Sequence, residues 1–259
     1  MILELDAGNT RIKWRLREKN QINGKWSTVA EGFVFARDKV PSVFIELGKQ
    51  LEKLPTENIS RVLISSVRGE GFKNAFSSLM TEKWHLQPEF AVPGKQCIGV
   101  TSAYADPGKL GVDRWLAMLA AYHREAGACC IVDCGTTITV DIVNAHGRHE
   151  GGYIVPGLQV LRDALAARSD ALATEQVHWS ATDPGVSTAS AVHNGILRCV
   201  LGFIRDIQLQ AENSGISQRW YFTGGDADVL LPHLDWAINH EPDLVLDGLE
   251  LAMFASAQL

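Results

Sequence analysis

The sequence has few cysteines, no long apolar run and no excess of basic residues. Its five cysteines are odd in number and include no C-x-x-C pair, which argues against a disulfide framework. No stretch of about 18 uninterrupted apolar residues occurs, so no membrane-spanning helix is predicted. The N-terminus also lacks a basic stretch followed by an apolar run and a cleavage site, which is the pattern of an export signal. These absences predict a cytoplasmic protein with reduced thiols and no membrane partner.

Three of the cysteines, Cys129, Cys130 and Cys134, lie in or just after one apolar strand. We interpret them as small buried hydrophobic residues. A zinc site that uses His146 and His149 is a weaker alternative, because no thiolate pair lies near these histidines.

The composition is that of a folded, weakly acidic protein. Apolar residues make up 46% and charged residues 21%, which is enough for a hydrophobic core. The formal charge of −6 argues against a nucleic-acid partner. Basic residues do alternate along one early predicted strand: Arg11, Lys13, Arg15, Arg17 and Lys19. Because apolar residues stand between them, we interpret these side chains as a solvated strand face, of which Lys13 lies near a turn.

Two common nucleotide-binding motifs are missing. A P-loop requires G-x-x-x-x-G-K followed by Ser or Thr, and no such string occurs. A dinucleotide-binding fold requires G-x-G-x-x-G between a strand and a helix, and this string is also missing. A phosphate site in this chain must therefore use another kind of turn.

One motif occurs twice. Each copy is an apolar strand that ends in Asp, a turn that contains Gly and hydroxyl residues, and a second strand. The first copy contains Asp6, Gly8, Asn9 and Thr10, and the second contains Asp133, Gly135, Thr136 and Thr137. Glycine lets the backbone approach phosphate oxygens, while turn N–H groups and hydroxyls donate hydrogen bonds to them. The repeat predicts a duplicated fold that holds a polyphosphate from both sides.

Hydrophobic patterns divide the chain into two α/β domains, 1–111 and 112–259. Helices are predicted at about 41–54, 72–83, 112–125, 158–172, 187–212 and 242–255. Strands are predicted at about 2–6, 11–17, 28–35, 61–65, 89–92, 129–133, 137–143, 149–155 and 219–222. Three strands, a helix and a strand, used twice, predict a duplicated actin-like ATPase (ribonuclease H-like) α/β fold with a nucleotide cleft between its domains.

An ordered set of motifs resembles the type III pantothenate kinase family. The set comprises D-x-G-N-T-x-x-K at 6–13, G-V-D-R at 111–114, D-C-G-T at 133–136, G-G-Y-I-V-P-G at 151–157 and F-T-G-G at 222–225. The G-V-D-R string discriminates most, because other actin-like kinases do not share it at this place. One departure is visible, since Thr137 stands where the family has Ala. The resemblance implies ATP-dependent phosphorylation of pantothenate to 4′-phosphopantothenate, the first step of coenzyme A biosynthesis.

The resemblance also implies which residues bind and activate pantothenate. Asp113 corresponds to the general base that accepts the proton of the primary alcohol. The implied substrate-binding residues are Tyr104, Gly111, Val112, Asp113, Arg114 and Thr188. The alternative for Asp113 is an ordinary acidic residue in a first helical turn, and for Thr188 it is a helix N-cap.

The ATP and metal sites are implied in the same way. The first turn contributes Asp6, Ala7, Gly8, Asn9, Thr10, Arg11, Ile12 and Lys13 to ATP binding. The second half contributes Thr136, Gly224 and Gly225. Asp6 is expected to organise the magnesium ion that accompanies ATP, and Asp133 to bind a monovalent cation, potassium or ammonium.

The long predicted helix at 187–212 bears on assembly. Leu197, Leu201 and Ile204 lie beside its main apolar stripe, which predicts a second packing surface. Together with the resemblance, this predicts a homodimer in which Thr188 reaches the neighbouring substrate pocket.

Two other function classes stay open. Another actin-like phosphotransferase, such as a sugar kinase or a polyphosphatase, would keep both Asp-Gly turns but not G-V-D-R. A non-enzymatic regulatory accessory factor would use the basic strand, although the acidic total charge argues against it.

Overall fold

The computed structural model describes residues 1–20, 22, 24–36, 40–55, 58–168, 179 and 181–255. The chain forms two compact units, one of residues 1–123 and 243–259 and the other of residues 124–242. The units therefore do not divide at the predicted 111/112 boundary. The helix that begins at Val112 belongs to the first unit, and so does the C-terminal helix, which contacts two strands of the first sheet.

Strands and helices follow the predicted order. The strands are β1 Ile2–Ala7, β2 Arg11–Lys19, β3 Trp26–Phe35, β4 Arg61–Ser66, β5 Pro88–Phe90, β6 Gln96–Cys97, β7 Val100–Thr101, β8 Cys129–Cys134, β9 Thr137–Val143, β10 His149–Pro156, β11 Arg219–Thr223 and β12 Ile238–His240. The helices are α1 Val40–Leu51, α2 Glu70–Trp84, α3 Val112–Arg124, α4 Leu158–Ala166, α5 Thr188–Asn213, α6 Ala227–Leu230 and α7 Leu244–Ala255. The predicted helix at 158–172 ends earlier, at Ala166, and residues 169–172 lie outside the described residues.

The two units contain sheets of the same topology. The first sheet has the order β3-β2-β1-β4-β5, and the second has the order β10-β9-β8-β11-β12. In each sheet three antiparallel strands are followed by two strands that run parallel to the central one. The duplication that the repeated motif predicts is therefore present in the strand order. Three features of the described residues were missed, the hairpin β6–β7, strand β12 and helix α6, because elements this short carry no periodic pattern.

Each unit has its own hydrophobic core. In the first unit, Ile12, Trp14 and Leu16 are buried, as their alternation in β2 predicts. In the second unit, α5 packs on β8 and β9 through its apolar stripe. Cys129, Cys130 and Cys134 are buried in that unit, as predicted, and burial raises the pKa of the Cys129 thiol to about 12. No helix of the described ranges is long and apolar enough to cross a membrane.

The basic side chains of β2 do not form a solvated face, so that prediction was wrong. Three ion pairs join this strand to α7 and the residue before it: Lys13–Asp243, Arg15–Asp247 and Arg17–Glu250. We call this set the β2–α7 ion-pair row. Arg15 is only 5% exposed and also donates to Glu4 at 2.7 Å. The acidic partners were not foreseen because they lie 230 to 233 residues further along the chain.

Candidate active site

The first Asp-Gly turn joins β1 to β2. The Gly8 N–H donates to the Arg11 carbonyl at 3.1 Å, and a Cβ at Gly8 would lie 3.1 Å from the same oxygen. The strand register places Asp6 opposite Lys13 on β2 and opposite Ser65 on β4. These three residues therefore form one row across three neighbouring strands, directly beside the turn.

The other predicted ATP-binding residues of this turn differ in how far their side chains are exposed. Ala7 and Ile12 are fully buried, so only their backbone atoms are candidates for contact with a phosphate. Asn9 and Thr10 lie in the turn itself. The Arg11 guanidinium lies 4.6 Å from the centroid of the Phe33 ring, which holds it over the edge strand β3.

The Asp6 carboxyl has a perturbed pKa. The pKa of Asp6 is raised to about 7, mainly by burial and also by the charge of Asp113. The Ser65 hydroxyl and the Lys13 ammonium act in the opposite direction. An effect of Asp113 on Asp6 requires the two carboxylates to lie near each other. The structure thus brings together the predicted catalytic base and the predicted magnesium-organising residue, 107 residues apart in the sequence (113 − 6).

The G-V-D-R string forms the start of α3. A Cβ at Gly111 would lie 2.6 Å from the Asp113 Oδ1, so a larger residue there would displace the carboxylate from its place over the chain. The same oxygen accepts the Arg114 N–H at 2.8 Å. Val112 is buried and begins the helix. Asp113 therefore does lie in the first turn of a helix, as the alternative interpretation states. This position does not exclude a catalytic role.

Arg114 links this turn to Tyr104. The Arg114 side chain is buried, with 7% of the residue exposed, and its Nη1 donates to the Tyr104 hydroxyl at 3.1 Å. On the other side, the Lys95 ammonium donates to the backbone carbonyls of Ser102 and Tyr104, at 2.9 and 3.1 Å. The predicted substrate residues from 104 to 114 therefore lie in one hydrogen-bonded cluster.

The second Asp-Gly turn joins β8 to β9. The Gly135 N–H donates to the Thr137 carbonyl at 3.1 Å, and this bond uses no atom of the Thr137 side chain. Thr136 is exposed at the tip, and its carbonyl accepts the Gly157 N–H at 2.9 Å. A Cβ at Gly157 would lie 2.2 Å from the Gly135 carbonyl oxygen. The last glycine of the G-G-Y-I-V-P-G string is therefore required by its close approach to this turn.

The Thr-Gly-Gly turn after β11 lies against the same turn. Gly224 has φ +89°, and a Cβ there would lie 2.4 Å from the Asp133 Oδ1. Gly225 follows in the turn, and the Asp226 N–H donates to the Cys134 carbonyl at 2.8 Å. Within the second unit, the structure thus gathers Asp133, Gly224 and Gly225 at one place. Carboxylate and carbonyl oxygens there suit a hard cation such as potassium.

Thr188 is the first residue of α5 and is exposed. It is not the N-cap, because Ser187 caps the helix by accepting the Ser190 N–H at 3.1 Å. The capping alternative for Thr188 is therefore wrong. Its side chain does not close the helix end. The other predicted substrate residues all lie in the first unit.

The histidines named for a zinc site do not form one. His149 is buried, and its Nε2 lies 3.0 Å from the Asp141 Oδ1, whereas His146 is exposed in the β9–β10 turn. Within the part of the chain that the structure describes, no group of three or more His, Cys, Asp or Glu side chains is arranged to hold a metal ion.

Four residues of these clusters were missed. Ser65 is the next-to-last residue of the apolar strand Arg61–Ser66, and a serine at the end of a strand run was a usable signal. Asp226 directly follows the Thr-Gly-Gly turn and was also in reach of sequence reasoning. Lys95 and Asp243 carried no signal, because their roles depend on contacts with distant residues.

Comparison with known proteins agrees with this geometry. The model of the family described as type III pantothenate kinase matches residues 2–210. The chain belongs to the type III pantothenate kinase family. A family member from Cellvibrio japonicus is 36% identical over 257 residues, which cover 97% of this chain and 96% of that protein. A type III pantothenate kinase from Alcanivorax borkumensis is 35% identical over 265 residues, covering 96% of this chain and 97% of that protein.

Solved structures confirm the fold class. A Sinorhizobium meliloti protein provisionally assigned as a 2-dehydro-3-deoxygalactonokinase has a TM-score of 0.61 at 13% identity, with 100% of both chains covered. Component A of the Acidaminococcus fermentans (R)-2-hydroxyglutaryl-CoA dehydratase has a TM-score of 0.54 at 17% identity, covering 99% of this chain and 98% of that chain. At these identities the likeness shows the fold alone. The family matches confirm the resemblance that the motifs indicate, and type III pantothenate kinases are phosphotransferases.

Proposed function

We propose that this protein transfers the γ-phosphoryl group of ATP to the terminal hydroxyl of pantothenate. The observation that carries this proposal is the cluster around Asp113. The Asp113 carboxylate accepts the Arg114 N–H, the Arg114 side chain donates to the Tyr104 hydroxyl, and the charge of Asp113 acts on Asp6. Family membership names the substrate, and the cluster supplies the groups that such a transfer needs.

Asp113 acts as the general base in this proposal. The alcohol oxygen attacks the γ-phosphorus, the bond to the bridging oxygen of ADP breaks, and the alcohol proton passes to the Asp113 carboxylate. Arg114 is held by the Tyr104 hydroxyl and stays charged at all relevant pH values. It therefore binds the carboxylate or amide oxygens of pantothenate. Gly111, Val112 and Tyr104 line the same pocket, and Thr188 of the partner subunit reaches it in the proposed homodimer.

The two Asp-Gly turns bind ATP. Backbone N–H groups from residues 7–12 other than Gly8, the Asn9 and Thr10 side chains and the Lys13 ammonium meet the phosphates, and Gly8 allows the close approach of the backbone. Thr136 and the glycines at 224 and 225 contribute from the second unit. A magnesium ion fits beside Asp6, because a cation there relieves the repulsion between the Asp6 and Asp113 carboxylates. When bound, this ion neutralises charge on the transferred phosphoryl group.

A potassium or ammonium ion at Asp133 is part of the proposal. Few basic side chains lie in the two turns, so a cation near Asp133 supplies additional positive charge for the phosphates. The oxygens gathered there by the close approach of Gly224 support this role.

We also propose that the enzyme is a cytoplasmic homodimer. All five cysteines are free thiols, which is typical of a reducing compartment. The reason first given for a dimer needs correction. Leu197, Leu201 and Ile204 are buried within the second unit itself, so they do not form a second packing surface on α5. Exposed apolar residues on β10 now support the dimer better, namely Tyr153 and Ile154.

The test is phosphorylation of pantothenate by purified protein with ATP and magnesium, in potassium and in sodium buffer. We expect product in both and a higher Michaelis constant for ATP in sodium. Equal constants in both salts would remove the cation site from the proposal. Phosphorylation of a sugar or a sugar acid instead of pantothenate would favour another phosphotransferase. Salt-dependent DNA binding without kinase activity would favour the regulatory role.

A further inference from the structure

Lys13 has a partner that the turn motif does not include. Its Nζ lies 3.0 Å from the Asp243 Oδ1, and about a third of each side chain is exposed, 32% and 38%. Lys13 is also opposite Asp6 in the β1–β2 register, so it is the member of the β2–α7 ion-pair row that lies nearest the phosphate turn. Asp243 is the first residue of the segment with which the chain returns to the first unit.

We propose that Asp243 is a positioning residue that holds the Lys13 ammonium toward the phosphates of ATP. This inference rests on the proposed function. A lysine ammonium has three N–H donors, so it can bind a carboxylate and a phosphate oxygen at the same time. A long lysine side chain loses conformational freedom when it binds a ligand, and a partner that already orders it reduces this loss.

The other pairs of the row provide an internal comparison. Arg15 with Asp247 and Arg17 with Glu250 lie progressively further from the turn along β2. If the row served only to attach α7 to the sheet, loss of any outer pair would have the same consequences as loss of Lys13–Asp243. A positioning role predicts that only the pair at the turn affects nucleotide affinity.

Two opposing effects make the direction of the change in ATP affinity informative when Asp243 is replaced. Asp243 is an anion near the phosphate site, so removal of its charge by itself would strengthen ATP binding. Removal of its hold on Lys13 would weaken ATP binding. The positioning role requires the second effect to be the larger.

Asp243 also has an ordinary structural interpretation, because it directly precedes α7 and its carbonyl accepts the Asp247 N–H at 2.9 Å. Asp243→Ser separates the two roles. Serine is as good an N-cap as aspartate, but it is too short to reach the Lys13 ammonium and carries no charge.

The experiment is calorimetric titration of the full-length protein with magnesium-ATP, combined with steady-state kinetics. The variants are Asp243→Ser, Lys13→Met, the double variant, and Glu250→Gln as the matched control. We expect Asp243→Ser to raise the dissociation constant by roughly 3- to 10-fold, the scale expected for one side chain that is no longer ordered. We expect kcat at saturating ATP within about 2-fold of the wild type, since the base is untouched. Glu250→Gln should bind ATP as the wild type does, and the double variant should bind no more weakly than Lys13→Met.

Unchanged or tighter binding by Asp243→Ser would overturn the inference. An equal loss of ATP affinity when Asp243→Ser is added to Lys13→Met would also overturn it, because Asp243 would then act without Lys13. Asp243→Asn, which keeps a neutral acceptor and the cap, is the second variant if serine destabilises the protein. Its dissociation constant should lie between those of wild type and Lys13→Met, and a constant at or below that of the wild type would overturn the inference. A wild-type protein that binds no magnesium-ATP would instead contradict the proposed function.

Discussion

At the scale of single residues, the proposed chemistry depends on the carboxylates of Asp6 and Asp113. They share one electrostatic environment, because the charge of Asp113 contributes to the raised pKa of Asp6. Asp113 is held by its own turn through the Arg114 N–H, and Asp6 is held between Lys13 and Ser65 in the strand register. Their roles separate by position, since Asp113 lies beside the Arg114–Tyr104 pair and Asp6 lies at the phosphate turn.

Asp113→Asn should remove turnover and leave the fold intact. The amide oxygen still accepts the Arg114 N–H, but the side chain no longer takes a proton. Loss of a general base typically costs on the order of 100- to 10,000-fold in rate. Turnover, melting temperature and magnesium-ATP affinity are to be measured on the same preparation. A stable variant with near-normal turnover would exclude Asp113 as the base.

Asp6→Asn should change stability in a pH-dependent way in the ligand-free protein. The pKa of Asp6 is raised to about 7 in the folded state from 3.8, so ionisation of this group destabilises the fold as the pH rises from about 4 to 7. The neutral amide avoids this cost. The variant should therefore be more stable than the wild type near pH 8, by on the order of 1–3 kcal/mol, and the gain should shrink toward pH 4.

Urea unfolding at several pH values measures this difference. Glu89→Gln is the control with the opposite sign, because Arg61 lowers the pKa of Glu89. Loss of that pair should destabilise the protein at neutral pH, with a smaller effect in acid. A gain for Asp6→Asn that is independent of pH would show that the raised pKa is not its cause.

At the scale of elements, α7 lies near the C-terminus of the chain but belongs to the first unit. One side of α7 meets β2 through the ion-pair row. Another side meets α3 so closely that a Cβ at Gly248 would lie 1.9 Å from the Leu116 carbonyl oxygen. Since Asp113 stands in the first turn of α3, this contact also supports the candidate base.

Gly248→Ala should destabilise the first unit. The added methyl group meets backbone atoms of Leu116, which cannot move without shifting α3. Overpacking of this kind costs typically about 1–3 kcal/mol. Gly71→Ala in α2 is the matched control, because nothing lies within 4 Å of its added Cβ. Urea unfolding of both variants is the measurement, and equal stabilities would mean that α3 and α7 are not in this close contact.

At the scale of the whole molecule, the protein is a duplicated fold with exposed apolar side chains on an edge strand of each sheet. On β3 they are Val29, Phe33 and Phe35. On β10, the edge strand of the second sheet, Tyr153 is 46% and Ile154 60% exposed. The Tyr153 ring also contacts Phe203 of α5, with ring centroids 5.9 Å apart. An edge strand with exposed apolar residues is a surface that a second copy of the chain can cover.

Ile154→Glu should therefore weaken the proposed homodimer. Burial of a charged side chain in an apolar interface without a partner is unfavourable. Ile45→Glu in α1 is the matched control, since Ile45 is also 60% exposed but lies in the first unit. Light scattering at micromolar concentration compares the three proteins. A wild-type monomer with full activity would contradict the dimer.

Sequence alone determined the features that local strings encode. The two Asp-Gly turns, the order of the long strands and helices, the duplication and the kinase family were all legible, because strand alternation, turn glycines and short motifs act over a few residues. Only the tertiary structure decided which distant segments meet. The pairing of Lys13 with Asp243, the effect of Asp113 on Asp6 and the approach of Gly224 to Asp133 depend on strand register and helix packing. For the same reason, a basic strand face that looked solvated became an ion-pair row, with Arg15 buried, once α7 packed against it.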